Sequence, residues 1–332
     1  MKIISASRRT DIPALYTPWF MNRIRAGFCH WLNPFGGQVY RVSLRPEDCV
    51  AIVFWTRNAR PLLPHLKELS ERGYHFYFQY TINCYPREID ARSPSLEAAL
   101  RTVRRLAELV GPECVLWRYD PVLISDLTPV SYHLTRFEQL SQALAGATRR
   151  CYVSFLDVYR KTERNLSGLA AYQLRRPYAT EQRELLEAFV ELAGVQGISI
   201  HLCCDEIPAG IKGGPVHRAH CVDPDLIRRL RPELDLPLQP GPTRPGCGCA
   251  HSVDIGSYDT CILGCLYCYA TSSPKAALAH RRAHDPKDTM LWRPPRLQGV
   301  DLDAVARPAP DAVARPAPDA VTRPAPAARG HS

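Results

Sequence analysis

Val50-Ala-Ile-Val-Phe-Trp-Thr-Arg-Asn58 is a short β-branched and aromatic run that passes directly into a polar cluster. That reads as a strand with a polar end, and the same sentence is written five more times along the chain. Runs of this kind stand at Lys2–Ser5, His75–Thr81, Cys114–Tyr119, Cys151–Leu156 and Ile198–Leu202. Between them lies helical periodicity. In Ser95–Val110 the residues Leu96, Leu100, Val103, Ala107 and Val110 fall on one face. Thr180 is the expected N-cap of a helix through Ala193 that buries Leu185, Leu186, Phe189 and Leu192. Further helices are expected at Thr17–Gly27, Pro61–Arg72, Pro129–Ala145 and Asp223–Leu230. Strands alternating with helices imply βα units and a parallel sheet. With no Gly-x-Gly-x-x-Gly after the first strand, the pattern suits a complete or partial (β/α) barrel, TIM-like, better than a dinucleotide-binding fold. The expected division is 1–240 as barrel units, 241–292 as a cysteine-rich segment completing the barrel, and 293–332 as a tail. The tail repeats Asp303-Ala-Val-Ala-Arg-Pro-Ala-Pro310 with two prolines per unit, which predicts extended, disordered chain.

In a parallel barrel the strand ends converge on one mouth, where ligands bind. The candidates there are Arg8 and Asp11 after the first run, Arg57 and Asn58 after the second, and Gln79 in the third. Arg118 and Asp120 end the fourth, and Asp157 the fifth. Strand ends are where any chain becomes polar, so no single cluster is informative. The recurrence of Arg beside a carboxylate or amide is, because charges at an apolar rim are costly unless paired or bound to ligand. Arg8, Arg9, Arg57 and Arg118 would grip an anion such as a carboxylate or phosphate. Arg8, Asp11, Arg57, Arg118, Asp120 and Asp157 are the catalytic candidates, and Asn58 and Gln79 the cofactor-binding ones.

The chain has 332 residues, 45% hydrophobic and 23% charged, as in ordinary globular proteins. No apolar run approaches bilayer-spanning length, and the N-terminus runs into arginine-rich sequence unlike a secretory signal. The expectation is a cytoplasmic protein with no membrane partner. A net charge of +9 would attract phosphate or nucleic acid, but no basic stripe interleaved with aromatics strengthens the nucleic-acid reading.

Thirteen cysteines are many for a reducing compartment, where metal binding or catalysis is the leading explanation. Cys29, Cys49, Cys84, Cys114 and Cys151 are scattered and read as buried free thiols. The rest cluster between 203 and 268. In Cys261-Ile-Leu-Gly-Cys265-Leu-Tyr-Cys268, three thiolates on one loop suit one face of a 4Fe–4S cubane and leave one iron open. Zinc is the rival, with Cys247, Cys249, Cys265 and Cys268 as two close pairs and His251 as a substitute. Cys203, Cys204 and Cys221, with Cys247 and Cys249, offer a second site, and His217 and His220 flank Cys221.

The loop resembles the signature of the radical S-adenosylmethionine superfamily, with an aromatic residue before the third cysteine. Cys268-Tyr269-Ala270 resembles its spore-photoproduct-lyase variety. The resemblance implies that Cys261, Cys265 and Cys268 hold the cluster, that Tyr267 packs on the cofactor side, and that S-adenosylmethionine binds the open iron. It also implies an electron donor such as ferredoxin or flavodoxin, while the rim arginines point to an anionic small or nucleotide-like substrate. The chain to about residue 292 resembles a bacterial family known as domain of unknown function 1848. The resemblance rests on Ile3-Ile-Ser-Ala-Ser-Arg-Arg-Thr-Asp-Ile-Pro13, Phe54-Trp-Thr-Arg-Asn58, Trp117-Arg-Tyr-Asp-Pro121 and Cys249 through Ala270. Radical enzymes carry the loop after their first strand, whereas here it follows six βα units. A strand at Val253–Tyr258 beside Lys2–Ser5 would still bring it to the mouth. Three readings stand: a radical enzyme; a non-catalytic barrel stapled by zinc or a closed cluster and acting as a binding or regulatory module; and nucleic-acid repair or modification, which borrows from the charge and the lyase-like motif.

Overall fold

The computed structural model describes residues 1–157, 165–166, 172–234 and 238–309. All six expected strands are present. They are β1 (Lys2–Ala6), β4 (Cys49–Thr56), β5 (Phe76–Thr81), β6 (Val115–Val122), β7 (Arg150–Phe155) and β8 (Ser199–Leu202). Between β1 and β4 lie α1 (Ile12–Leu15), α2 (Thr17–Ala26) and an antiparallel pair, β2 (Phe28–Leu32) and β3 (Val39–Ser43). The connecting helices are α3 (Leu66–Glu71), α4 (Leu96–Val110), α5 (Val130–Leu144) and α6 (Ala179–Gly194). After β8 come β9 (Val216–Arg218), α7 (Pro224–Leu230), β10 (Val253–Asp254), α8 (Pro274–Arg282), α9 (Leu302–Val305) and β11 (Arg307–Pro308).

Eight strands form one parallel sheet in the order β10-β1-β4-β5-β6-β7-β8-β9. Among the described residues no ladder joins its two edges, β10 and β9. The edge at β10 is the one that matters for function. Val253 and Asp254 lie parallel to Ile4 and Ser5, so the chain returns beside its own first strand, as the late cysteine loop requires.

Alternation along the strands sorts two cores. On one face Ile52, Phe54, Phe78, Trp117, Tyr119 and Val153 pack under the helices, where Phe137 of α5 stacks on Phe189 of α6 at 3.9 Å. On the other, Ile3, Val53, Tyr77, Leu116 and Tyr152 are covered by no layer of long helices. Their cover is the return segment, with Cys221, Val222, Leu226, Ile227, Cys249 and Ala250. The cysteine-rich part of the chain is thus a lining for the sheet's second face.

Two expectations are corrected. Tyr178, with Glu181 completing a capping box, starts α6 in place of Thr180. The tail expected from 293 is ordered at its start. Leu302 buries with Val39 and Met290, Asp301 caps α9, and β11 runs parallel to β3. Pro308 fits because it lies on an edge strand, where a missing N–H breaks no central ladder. Residues 310–332, which hold the rest of the repeat, lie outside the described residues.

Candidate functional site

One cavity of about 570 Å³ opens at the strand ends, and both cysteine groups line it. The loop group hangs from β10. The Asp254 carboxylate accepts hydrogen bonds from Ser5 Oγ (2.9 Å), Ser7 Oγ (2.6 Å), and the backbone N–H groups of Arg8 (2.8 Å) and Gly256 (3.0 Å). Burial opposes its charge, but Arg9 and Arg8 beside it hold it below the usual carboxylate range. A Cβ at Gly256 would stand 2.1 Å from Ser7 Oγ, so only glycine permits this approach.

Beyond Gly256 the loop is tied down on both sides. Tyr16 Oη donates to the Thr260 carbonyl (2.6 Å), while Arg92 N–H donates to Leu263 and Leu266 N–H to Ile89. Gly264 takes φ +75° between the first two cysteines, and Cys268 N–H donates to the Cys265 carbonyl (3.1 Å). The three thiols are half-buried at the cavity wall. Cys268 Sγ accepts from the backbone N–H of Ala270 (3.4 Å), and the amides of Leu263 and Asp11 near Cys261 and of Thr271 near Cys268 favour the thiolate form. Burial pushes the Cys261 thiol up to about 12 and raises Cys265 and Cys268 too, with Arg57 opposing the rise at Cys265. Amide donors aimed at sulfur are what a metal-bound thiolate needs around it.

The second group begins where β8 ends and lines the same cavity. Cys203 Sγ lies 3.7 Å from both Cys204 Sγ and Cys221 Sγ. Cys249 lies near Cys221 and Cys247, and Cys247 near Cys204, so that five thiols form a loose ring on the cavity wall. Among the described residues no three His, Cys, Asp or Glu side chains already surround a single point as metal ligands would.

The rim charges largely satisfy one another. Arg118 binds Asp120, reaches Cys221 Sγ at 3.1 Å and Gln79 Oε1 at 3.4 Å. Arg57 binds Asp90 (2.7 Å), Ser93 (3.0 Å) and Tyr267. Asp157 holds Arg176 (2.8 Å) and Arg244. Arg8 donates to Ser252 Oγ (2.7 Å), and its guanidinium and that of Arg118 stand 5.6 and 5.0 Å from the Trp55 ring. Arg9 lies over Trp31 and Tyr258, and its Nη1 is buried with no hydrogen-bond partner among the described residues.

Of the residues singled out from sequence, Arg8, Asp11, Arg57, Arg118, Asp120, Asp157 and Tyr267 line the cavity, as do Cys203, Cys221, Cys247, Cys249, Cys261, Cys265 and Cys268. Two others have different work. Asn58 turns its Oδ1 to the Arg60 N–H (3.1 Å), and the fully buried Gln79 donates to the Cys221 carbonyl (2.8 Å). Both stand outside the cavity lining. Asp11 caps α1 through Ala14 N–H and also accepts from Thr56 Oγ1 (2.7 Å) and Arg57 N–H (2.7 Å). Burial outweighs these bonds and pushes its carboxyl up to about 6. Sequence reasoning missed Asp254, Arg176 and Arg244, whose partners are distant in the chain.

The family model for a domain of unknown function, DUF1848, matches residues 3–270. The chain belongs to the DUF1848 family. The match starts in β1 and ends at Ala270, so the DUF1848 unit takes in the whole eight-stranded sheet and both cysteine groups. It leaves out α8 and the C-terminal segment on β3. No curated protein and no solved structure matches the chain. No helix among its described residues is long and apolar enough to cross a membrane.

Proposed function

We propose that this DUF1848 protein is an iron–sulfur enzyme of the radical S-adenosylmethionine type, acting on a small or nucleotide-like anion at the strand ends. One observation carries the reading: three thiols of a single loop stand on the wall of a cavity of about 570 Å³, and Cys268 Sγ there accepts the Ala270 N–H. The donor set fits a cluster held by three thiolates with one position left open. When bound, such a cluster supplies the electron that cleaves S-adenosylmethionine and begins hydrogen abstraction from the substrate.

The chain's own residues do the rest. Tyr267, tied to Arg57, Asn83 and Asp90, fixes the loop beside Cys265. Arg9, with its unpartnered Nη1, and Arg8, packed against Trp55, favour an anionic substrate with a flat or apolar portion. The eight parallel strands are then a partial barrel with the reaction at its mouth. Thirteen free cysteines suit the reducing cytoplasm, and a net charge of +9 suits an acidic electron donor such as ferredoxin or flavodoxin.

Anaerobic reconstitution with iron and sulfide tests this. The expected outcome is a cluster whose electron paramagnetic resonance spectrum changes on adding S-adenosylmethionine, with release of 5′-deoxyadenosine under reduction. Protein that takes up no iron and sulfide at the loop would overturn it.

A further inference from the structure

The ring of five thiols has chemistry of its own. It is drawn from three separated stretches, Cys203-Cys204, Cys221 and Cys247-Gly-Cys249, and lines the same cavity as the loop. We propose that these cysteines form a second, closed metal site that takes one zinc ion, independent of the loop and of any chemistry there. Cys203, Cys221 and Cys249 are its buried ligands, and Cys204 or Cys247 supplies the fourth.

Spacing comes first. Thiolates about 2.3 Å from a tetrahedral zinc stand about 3.8 Å apart, and the separations from Cys203 to Cys204 and from Cys203 to Cys221 are both 3.7 Å. The backbone has been bent to achieve this. Neighbours on an extended strand point to opposite faces, yet the thiols of Cys203 and Cys204 touch, because Cys204 adopts φ +62°, a left-handed conformation costly for a non-glycine residue. The Cys247 side is cleared by glycines. A Cβ at Gly246 would meet the Cys204 carbonyl at 2.9 Å, and one at Gly248 would meet the His220 ring at 2.4 Å.

Donors surround the sulfurs as well. Arg118 Nη1 reaches Cys221 Sγ (3.1 Å), Arg244 Nη2 reaches Cys203 Sγ (3.6 Å), and Val222 N–H reaches Cys249 Sγ (3.4 Å). Two cations and an amide around neutral thiols would be wasted; around a zinc-bound tetrathiolate, which carries net negative charge, they are complementary. Among the described residues no three ligands yet surround one point, so binding draws the remaining sulfurs toward Cys203 and Cys221 by side-chain rotation. Such an ion would pin the inner layer to the end of β8, a staple where the sheet's second face has no long helices among the described residues.

The test uses the full chain with Cys261, Cys265 and Cys268 all changed to Ser, which removes the loop ligands. Elemental analysis should find about one zinc per chain without acid-labile sulfide, and a further Cys221→Ser or Cys249→Ser change should abolish it. Cobalt(II) added to wild-type protein stripped of metal by a chelator provides a readout that needs no variant. Thiolate-to-cobalt charge transfer with intense tetrahedral d–d bands supports the site. Metal-free protein whose five thiols all react freely, or iron with sulfide at these cysteines, overturns it. Loss of 5′-deoxyadenosine formation alone would count against the loop reading and leave the zinc count untouched.

Discussion

The two walls of the cavity carry cysteines in two different ways. On the β10 side, three thiols come from one eight-residue stretch, Cys261 to Cys268, and the Ala270 amide donates to Cys268 Sγ. On the β8 side, five thiols come from three stretches, and Cys203 stands 3.7 Å from both Cys204 and Cys221. The first arrangement is written in local spacing. The second exists only after the sheet has formed. Cysteine count alone would have merged them; the way the chain brings the sulfurs together divides them.

The sharpest way to break this comparison is at Asp254. Asp254→Ala removes four hydrogen bonds and leaves Arg8 and Arg9 without their carboxylate. It should cost about 3–5 kcal/mol, read as a shift in the denaturant midpoint. At denaturant well below that midpoint, alkylation mapped by mass spectrometry should find the loop thiols exposed before the ring thiols. Equal exposure would mean that the two walls are one cooperative unit.

A second test uses acidity. Asp11 sits between the walls' frameworks, joining α1, Thr56 and Arg57, and gives its N–H to Cys261. Its carboxyl is raised from 3.8 to about 6, so between these values the folded chain holds a proton that the unfolded chain has released. Stability from this group therefore falls as pH rises from about 4 to 6, by on the order of 3 kcal/mol. Asp254, held below its ordinary value, acts oppositely: its contribution is present above pH 4 and lost as pH falls through its folded value. Asp11→Asn should flatten the slope between pH 4 and 6 in urea melts while leaving the acid limb in place.

Smaller still is Tyr267→Phe. It deletes a hydroxyl shared by Arg57, Asn83 and Asp90, which should cost about 1–2 kcal/mol. In a reconstituted protein it should perturb the loop cluster's spectrum and leave zinc content at the ring unchanged. A change in zinc would show that the walls communicate through Arg57 and Arg118.

The six long strands were legible because each is an apolar run that ends in charge, and the pairing of 253–254 with β1 followed from asking where a late loop could go. The β2–β3 pair was not, since Phe28-Cys-His-Trp-Leu32 lies in a stretch expected to connect helix to strand and carries no strong alternation. The rim arginines were found, but their roles were not. Arg57 and Arg118 read as free hands for a ligand, yet their first partners are Asp90 and Asp120. Asn58 and Gln79 share the arginines' neighbourhood in sequence, and strand register turned them toward backbone groups instead. Asp254 gave no signal, because a carboxylate that completes a sheet edge looks like any other acid until its partners near residue 5 are known.

That edge also sets a schedule. Ser5 and Asp254 meet across 249 positions of sequence. During synthesis β1 must therefore wait, with one flank unpaired, until nearly the whole sheet has left the ribosome. An unpaired parallel strand is a template for the wrong neighbour, and here it stays so through most of translation. The cysteine loop, which follows β10 directly, arrives only when that flank is covered. The loop is thus tied to a completed sheet: a product truncated before β10 lacks both the partner of β1 and the three cysteines.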